Sequence, residues 1–127
     1  MPFIRVDNIT KELVTSHPDW LFLFGDNIAR LGFGGQAAVM RGQPNAIGIR
    51  TKKFPNWNEQ SFFTDAEYEQ NCRLIAEDFV RVREALDNGR TVVVSSHGLG
   101  TGLSGLQKRA PRTLAYIESV LKELEKK

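Results

Sequence analysis

The run Trp20-Leu-Phe-Leu-Phe24 is continuous and apolar, and Gly25 ends it. A short run of this kind indicates a strand that is buried on both faces, as in a mostly parallel sheet. Three further segments have strand patterns, namely Phe3 to Val6, Ala46 to Arg50 and the β-branched Thr91 to Ser96. We therefore expect these segments to lie in one sheet.

Helical patterns alternate with the strands. The strongest extends from Asp65 to Asp87, where apolar side chains recur every three or four residues. A capping box, Thr64-Asp-Ala-Glu67, predicts its start, and Asn88-Gly89 fits a left-handed cap at its end. A second amphipathic helix is predicted to begin near Pro111.

Two shorter helices are predicted, one between Gly35 and Gly42 and one from Asn8 to Ser16. Because strands and helices alternate, the sequence predicts an α/β fold with a compact, mostly parallel or mixed sheet flanked by helices. The chain of 127 residues has no internal repeat and no linker, so a single domain is expected over residues 1–127.

Composition narrows the range of functions. A formal net charge of +2 gives no general attraction to nucleic acid or to a membrane surface. One cysteine and two distant histidines offer neither a disulfide nor a metal-ligand spacing, so we expect no metal and no cofactor. Without a signal pattern or a long apolar run, the chain is expected in the cytoplasm, with its oligomeric state open.

Ligands of α/β proteins bind at the carboxyl ends of parallel strands. The first loop, Gly25 to Gln36, follows the Trp20 strand and contains Gly34 and Gly35, whose backbone could approach a phosphate closely. The alternative is a surface turn in which these glycines only permit positive φ. Asp26 and Asn27 would bind a ribose or a base at the mouth of a cleft, or form an Asx turn.

The last loop, Ser95 to Gly105, follows the strand that ends near Ser96. Its segment Gly100-Thr-Gly-Leu-Ser-Gly105 matches the dinucleotide fingerprint, but no second strand follows to complete the βαβ unit. A nest of backbone amides for phosphate, backed by the Pro111 helix, is the interpretation that remains. His97 would act as an acid or base, bind the ligand, or serve as a structural hydrogen-bonder.

Basic and aromatic residues follow the Ala46 strand. Thr51 and Lys52 end that strand, and the charge of Lys52 would balance a phosphate or belong to a solvated basic patch. Aromatic side chains in the long connection that follows, including Trp57 and Phe62, would stack on a base from a lid or anchor the loop to the body.

Four motifs follow one another along the chain: Phe24-Gly-Asp-Asn27, Gly32-Phe-Gly-Gly-Gln36, Ala46-Ile-Gly-Ile-Arg-Thr-Lys52 and Val93-Val-Ser-Ser-His-Gly-Leu-Gly-Thr-Gly102. In this order they resemble small phage-associated proteins similar to macro domains, and the resemblance covers roughly Leu21 to Ile117. It implies a compact macro-domain-like fold that binds ADP-ribose. The Asn-Ala-Ala-Asn run usual in macro domains is missing, and His97 is an addition.

The resemblance also implies an adenosine contact from Asp26, a distal-ribose contact from Asn27 and phosphate contacts from the two glycine-rich loops. The resemblance and the properties of the individual residues together predict a set of ligand-binding positions. These are Gly25, Asp26, Asn27, Gly34, Gly35, Gln36, Thr51, Lys52, Ser96, His97, Gly98, Leu99, Gly100, Thr101 and Gly102.

Three functions fit these observations. The first is a binding module for an ADP-ribose-type nucleotide, which in a phage protein would sequester a defence signal. The second is a hydrolase of an ADP-ribosyl or nucleotide-derived substrate, in which Asp26 or His97 activates water. The third is an interaction protein that contacts a partner through its basic patches and its closing helix.

Overall fold

The computed structural model describes residues 3–99 and 104–126. Its strands are β1 (Phe3–Val6), β2 (Leu21–Asn27), β3 (Ala46–Lys52) and β4 (Val92–Ser95). Its helices are α1 (Lys11–Ser16), α2 (Ala37–Met40), α3 (Tyr68–Asp87), α4 (Leu106–Arg109) and α5 (Pro111–Glu125). The four strands are all parallel and lie in the order β1-β4-β2-β3. The predicted α/β fold, a sheet flanked by helices, is confirmed.

Strand β2 is buried on both faces, as its apolar run predicts. Leu21 and Leu23 pack into a core with residues of α3 and α5, whereas Phe22 and Phe24 pack on the other face with residues of α1 and α2. Helices therefore cover both faces of the sheet. Among the described residues, no helix is both long and apolar enough to cross a membrane.

Strands β2 and β3 extend further than their apolar runs. They continue to pair beyond Phe24, with Asp26 opposite Arg50 and Asn27 opposite Lys52, and the register shifts between Asp26 and Asn27. Gly25, Asp26 and Asn27 thus belong to a strand and not to the first loop. This buried strand can end in polar residues because their polar groups form hydrogen bonds and ion pairs within the protein.

The ends of α3 differ in how well the sequence predicts them. The capping box forms only in part, because the Glu67 carboxylate interacts with the backbone N–H of Thr64, whereas the Thr64 hydroxyl donates to that carboxylate (3.3 Å) and accepts no backbone N–H. Glu67 is in turn paired with Lys53 (2.7 Å), and a short 3₁₀ turn precedes Tyr68. The left-handed cap is confirmed, since Gly89 has a φ of +78°.

Strands β2 and β4 diverge towards their carboxyl ends. Their pairing covers only Leu21 with Val92 and Phe22 with Val93, although both strands continue beyond these residues. The connections that follow these two strands also lead to opposite faces of the sheet, because α2 packs with Phe22 and Phe24 whereas α5 packs with Leu21 and Leu23. Such a switch point leaves a crevice at the carboxyl edge of a parallel sheet.

Gly48 in β3 is required by a close approach of side chains. A Cβ atom at this position would lie 2.6 Å from the Cβ of Asp26 and nearer still to its Oδ2 atom. We therefore expect Gly48→Ala to lower the free energy of unfolding by about 3 kcal/mol, because the Asp26 side chain is enclosed and cannot move aside. Urea unfolding followed by circular dichroism measures this change.

The matched control for Gly48→Ala is Gly89→Ala. A Cβ on Gly89 meets nothing within 4 Å, so this variant carries only the strain of a positive φ. It should lose about 1 kcal/mol. Equal losses in the two variants would contradict the steric explanation for Gly48.

Candidate functional site

A cavity of about 600 Å³ opens where β2 and β4 diverge. We call it the cleft. Its walls come from the carboxyl ends of β2 and β3 and from the loops that follow β2, β3 and β4. Residues of both the first loop and the last loop line it, so the structure brings the two glycine-rich segments together as the sequence predicts.

Most of the residues predicted to bind a ligand line the cleft. They are Gly25, Asp26, Asn27, Gly34, Gly35, Gln36, Thr51, Lys52, His97, Gly98 and Leu99. Ser96 does not line it, because its hydroxyl donates to Asp7 (2.6 Å) on the β1 side of the sheet. Gly100, Thr101 and Gly102 lie outside the described residues.

The carboxylate of Asp26 is occupied by two arginines. Its side chain is 2% exposed, with Oδ1 accepting from Arg41 Nη2 (2.5 Å) and Oδ2 from Arg30 Nη1 (3.1 Å). Oδ1 also accepts from the backbone N–H of Asn27 (2.8 Å). These contacts give Asp26 an organising role beside the cleft. A role for Asp26 as a base that activates water stays a prediction.

The two arginines extend this network to the first loop and to α3. Arg41 Nε donates to the carbonyl of Gly32 (2.6 Å), which fixes the first loop against β2. Arg30 donates to the carbonyl of Gly48 (2.7 Å) and to Asp78 on α3 (2.8 Å). One buried carboxylate therefore holds a glycine-rich loop, an edge strand and a helix in a fixed relation.

Asn27 and Thr51 also use their side chains within the protein. The Asn27 amide donates to the Leu31 carbonyl (2.8 Å) and closes the turn after β2. The Thr51 hydroxyl donates to the Asp26 carbonyl (3.2 Å) and ties the end of β3 to β2. The ribose contact that the resemblance implies for Asn27 stays a prediction.

Lys52 places a positive charge in the wall of the cleft. Its Nζ atom lies 4.8 Å from the ring centre of Trp57 and 4.4 Å from that of Phe62. Burial, and then the charge of Arg109, lower the pKa of Lys52 below that of an ordinary lysine. Within residues 3–99 and 104–126, no carboxylate forms an ion pair with this ammonium group.

Exposed aromatic rings surround the mouth of the cleft. Trp57 is 70% exposed and Phe33 is 68% exposed, and both line the cleft. Phe62 is buried and anchors the connection between β3 and α3, pairing with Lys52 in an antiparallel bridge. Of the two aromatic residues predicted to stack on a base or anchor the loop, Phe62 is thus an anchor and Trp57 remains available.

His97 is exposed at the start of the last loop and lines the cleft. Its backbone N–H donates to the hydroxyl of Ser95 (3.2 Å), which directs the chain away from β4. No group of three or more His, Cys, Asp or Glu side chains suited to a metal ion occurs in the part of the chain that the structure describes. A role for His97 as acid or base stays a prediction.

Arg41, Phe33 and Ser104 are among the residues of the cleft that sequence reasoning missed. Arg41 has no partner near it in sequence, because Asp26 lies fifteen positions away. Phe33 stands between glycines and gives no pattern that distinguishes a surface ring from a buried one. Ser104 is buried in the cleft wall although it lies in a glycine-rich segment.

Comparison with known proteins identifies a family to which the chain belongs, but it does not indicate an activity. Residues 4–120 match a family of unknown function, DUF7831. No curated protein and no solved structure matches the chain.

The role of Asp26 can be tested with the isosteric variant Asp26→Asn. The amide cannot serve as the charged acceptor for Arg30 and Arg41, so two charge-assisted hydrogen bonds weaken inside the protein. We expect the free energy of unfolding to fall by about 2 kcal/mol. Chemical denaturation measures this loss.

Asp87→Asn is the control for Asp26→Asn. Asp87 is exposed at the last position of α3, and its replacement should change the free energy of unfolding by less than about 0.5 kcal/mol. A loss of that small size for Asp26→Asn would show that the arginine contacts do not organise the site.

Proposed function

We propose that this chain, which belongs to the DUF7831 family, binds a phosphorylated nucleotide of the ADP-ribose kind in the cleft. The observation that carries the proposal is the ammonium group of Lys52. It lies in the wall of a cavity large enough for a small molecule and has no ion-pair partner among the residues that the structure describes.

An unpaired ammonium group in this position favours an anionic ligand. The Lys52 residue is 8% exposed, and removing a charge from water is unfavourable unless it is paired. The rings of Trp57 and Phe62 offset part of this cost through cation–π contacts. A phosphate group would complete the neutralisation with a charge-assisted hydrogen bond.

The first loop offers backbone donors to the same ligand. In the part of the chain that the structure describes, the N–H groups of Gly34, Gly35 and Gln36 donate to no other residue. These three residues line the cleft together with Lys52. Backbone amides of glycine-rich segments are common ligands of phosphate oxygens, because no side chain prevents a close approach.

The aromatic rim suits a nucleobase. Large exposed rings at the mouth of a cavity are typical of binding surfaces, and Trp57 and Phe33 are both of this kind. Stacking of a base on such a ring contributes about 1–3 kcal/mol to binding. The volume of about 600 Å³ lies within the range usual for small-molecule sites. The choice of ADP-ribose among nucleotides comes from the motif resemblance.

The proposal is tested by titrating ADP-ribose and AMP into wild type and Lys52→Met in a calorimeter. Loss of one charge-assisted contact should weaken binding by about tenfold to hundredfold. Chromatography of the recovered nucleotide distinguishes binding from turnover, and unchanged nucleotide is the result expected of a binding protein.

Lys53→Met is the matched control for Lys52→Met. Lys53 is the next residue, but it is paired with Glu67 (2.7 Å) and does not line the cleft. This variant should bind AMP as wild type does. Absence of binding to wild type at millimolar nucleotide, or equal effects of the two substitutions, would contradict the proposal.

The lowered pKa of Lys52 gives a further prediction. The protonated amine of Lys52 attracts an anion, so the affinity for AMP should fall as the pH rises through the pKa of Lys52. That pKa is lower than the pKa of an ordinary lysine. Calorimetry with AMP from about pH 7.5 to about pH 10 covers this range, over which the phosphate stays ionised. Lys52→Arg keeps its charge there and should not show the decline. A flat wild-type profile would contradict the assignment of Lys52 as the phosphate contact.

A further inference from the structure

Two buried polar atoms beside the cleft have no hydrogen-bond partner among the described residues. Across residues 3–99 and 104–126, the buried side-chain oxygen and nitrogen atoms without a partner are Gln36 Oε1 and Ser104 Oγ. Both residues line the cleft. Since nearly all buried polar atoms in proteins are hydrogen-bonded, two exceptions at one cavity indicate that a bound molecule supplies the partners.

The two residues belong to different walls and are held in place. The Gln36 carbonyl accepts from the backbone N–H groups of Val39 and Met40 at the start of α2, and its side chain makes no capping bond. Ser104 is 8% exposed and precedes Gly105 and the buried Leu106, where α4 begins.

The chemistry of these atoms indicates a neutral partner. A carbonyl oxygen such as Gln36 Oε1 accepts a hydrogen bond and repels a phosphate oxygen, whereas the Ser104 hydroxyl both donates and accepts. A hydroxyl group fits each atom, and it would also fit the amide of Gln36 in its flipped orientation. Hydroxyl groups of a ligand would therefore satisfy both residues, and the ribose of a nucleotide carries two of them.

We infer that Gln36 and Ser104 bind the ribose hydroxyl groups of the nucleotide and make the cleft selective for ribonucleotides. This inference rests on the proposed function, in which Lys52 and the first loop bind the phosphate. Without the hydroxyl groups, a ligand would leave both side chains buried and unpaired, so a deoxygenated nucleotide binds less tightly.

The experiment compares AMP with 2′,3′-dideoxy-AMP by calorimetry. Wild type should bind AMP at least about tenfold more tightly. Ser104→Ala and Gln36→Met should each weaken binding of AMP but change the affinity for the dideoxy nucleotide by less than about twofold, so that the ratio falls towards one. Ser119→Ala is the control, because Ser119 is exposed on α5 and its hydroxyl donates to the Tyr116 carbonyl. It should keep the wild-type ratio.

Thermal unfolding separates recognition from a structural role. Because the hydroxyl of Ser104 has no partner among the described residues, Ser104→Ala should leave the melting temperature of the ligand-free protein unchanged or raise it. A lower melting temperature together with equal losses of affinity for both nucleotides would overturn the inference.

The outcomes also separate this inference from the proposed function. If wild type binds both nucleotides equally, and Lys52→Met weakens both, the ribose contact is overturned while nucleotide binding stands. If wild type binds neither nucleotide at millimolar concentration, both proposals are overturned. If a variant binds AMP as wild type does, the substituted residue does not contact the ribose.

Discussion

The buried carboxylate of Asp26 is the constraint on which the arrangement of the cleft depends. A charge with a side chain only 2% exposed must be compensated inside the protein, and Arg30 and Arg41 do so from opposite directions. Arg41 then reaches the Gly32 carbonyl, and Arg30 reaches Asp78 on α3. The first loop is therefore positioned by a charge network in addition to the positive φ of its Gly32 and Gly35. The absence of a side chain at Gly48 leaves room for this network.

The division of labour among the polar residues follows from this network. Asp26 and Thr51 use their polar groups to hold the ends of β2 and β3 together, and Asn27 closes the turn after β2. Lys52, by contrast, directs its charge towards aromatic rings and the cleft. Thr51 and Lys52, which are adjacent at the end of β3, thus have different roles.

The fold follows from local patterns to a large extent. The apolar run of β2, the β-branched run of β4 and the periodicity of α3 each predict an element that the structure contains. Strand ends were harder to predict, because Gly25 and Asp26 are residues that usually terminate strands. Distant arginines overcome that preference, and no local pattern reveals them. The Thr64 cap forms only in part, because the Thr64 hydroxyl donates to the Glu67 carboxylate, which also pairs with Lys53.

The candidate site was partly predictable. The rule for parallel sheets brings the two glycine-rich loops to the same edge, and both line the cleft. Which side chains remain unsatisfied there depends on three-dimensional neighbours. Ser96 is paired with Asp7 across the sheet, whereas the hydroxyl of Ser104 has no partner among the described residues, and both serines occur beside glycines or other small residues.

The early separation of β2 and β4 has a consequence for how the cleft could change. Backbone pairing between β2 and β4 stops at Phe22 and Val93, so the sheet determines the distance between these two walls of the cleft. The loops contribute residues that can contact a ligand. Substitutions in the loops could then exchange one bound molecule for another without altering the scaffold. Related chains with the same strand register would share the shape of the crevice even where their ligands differ.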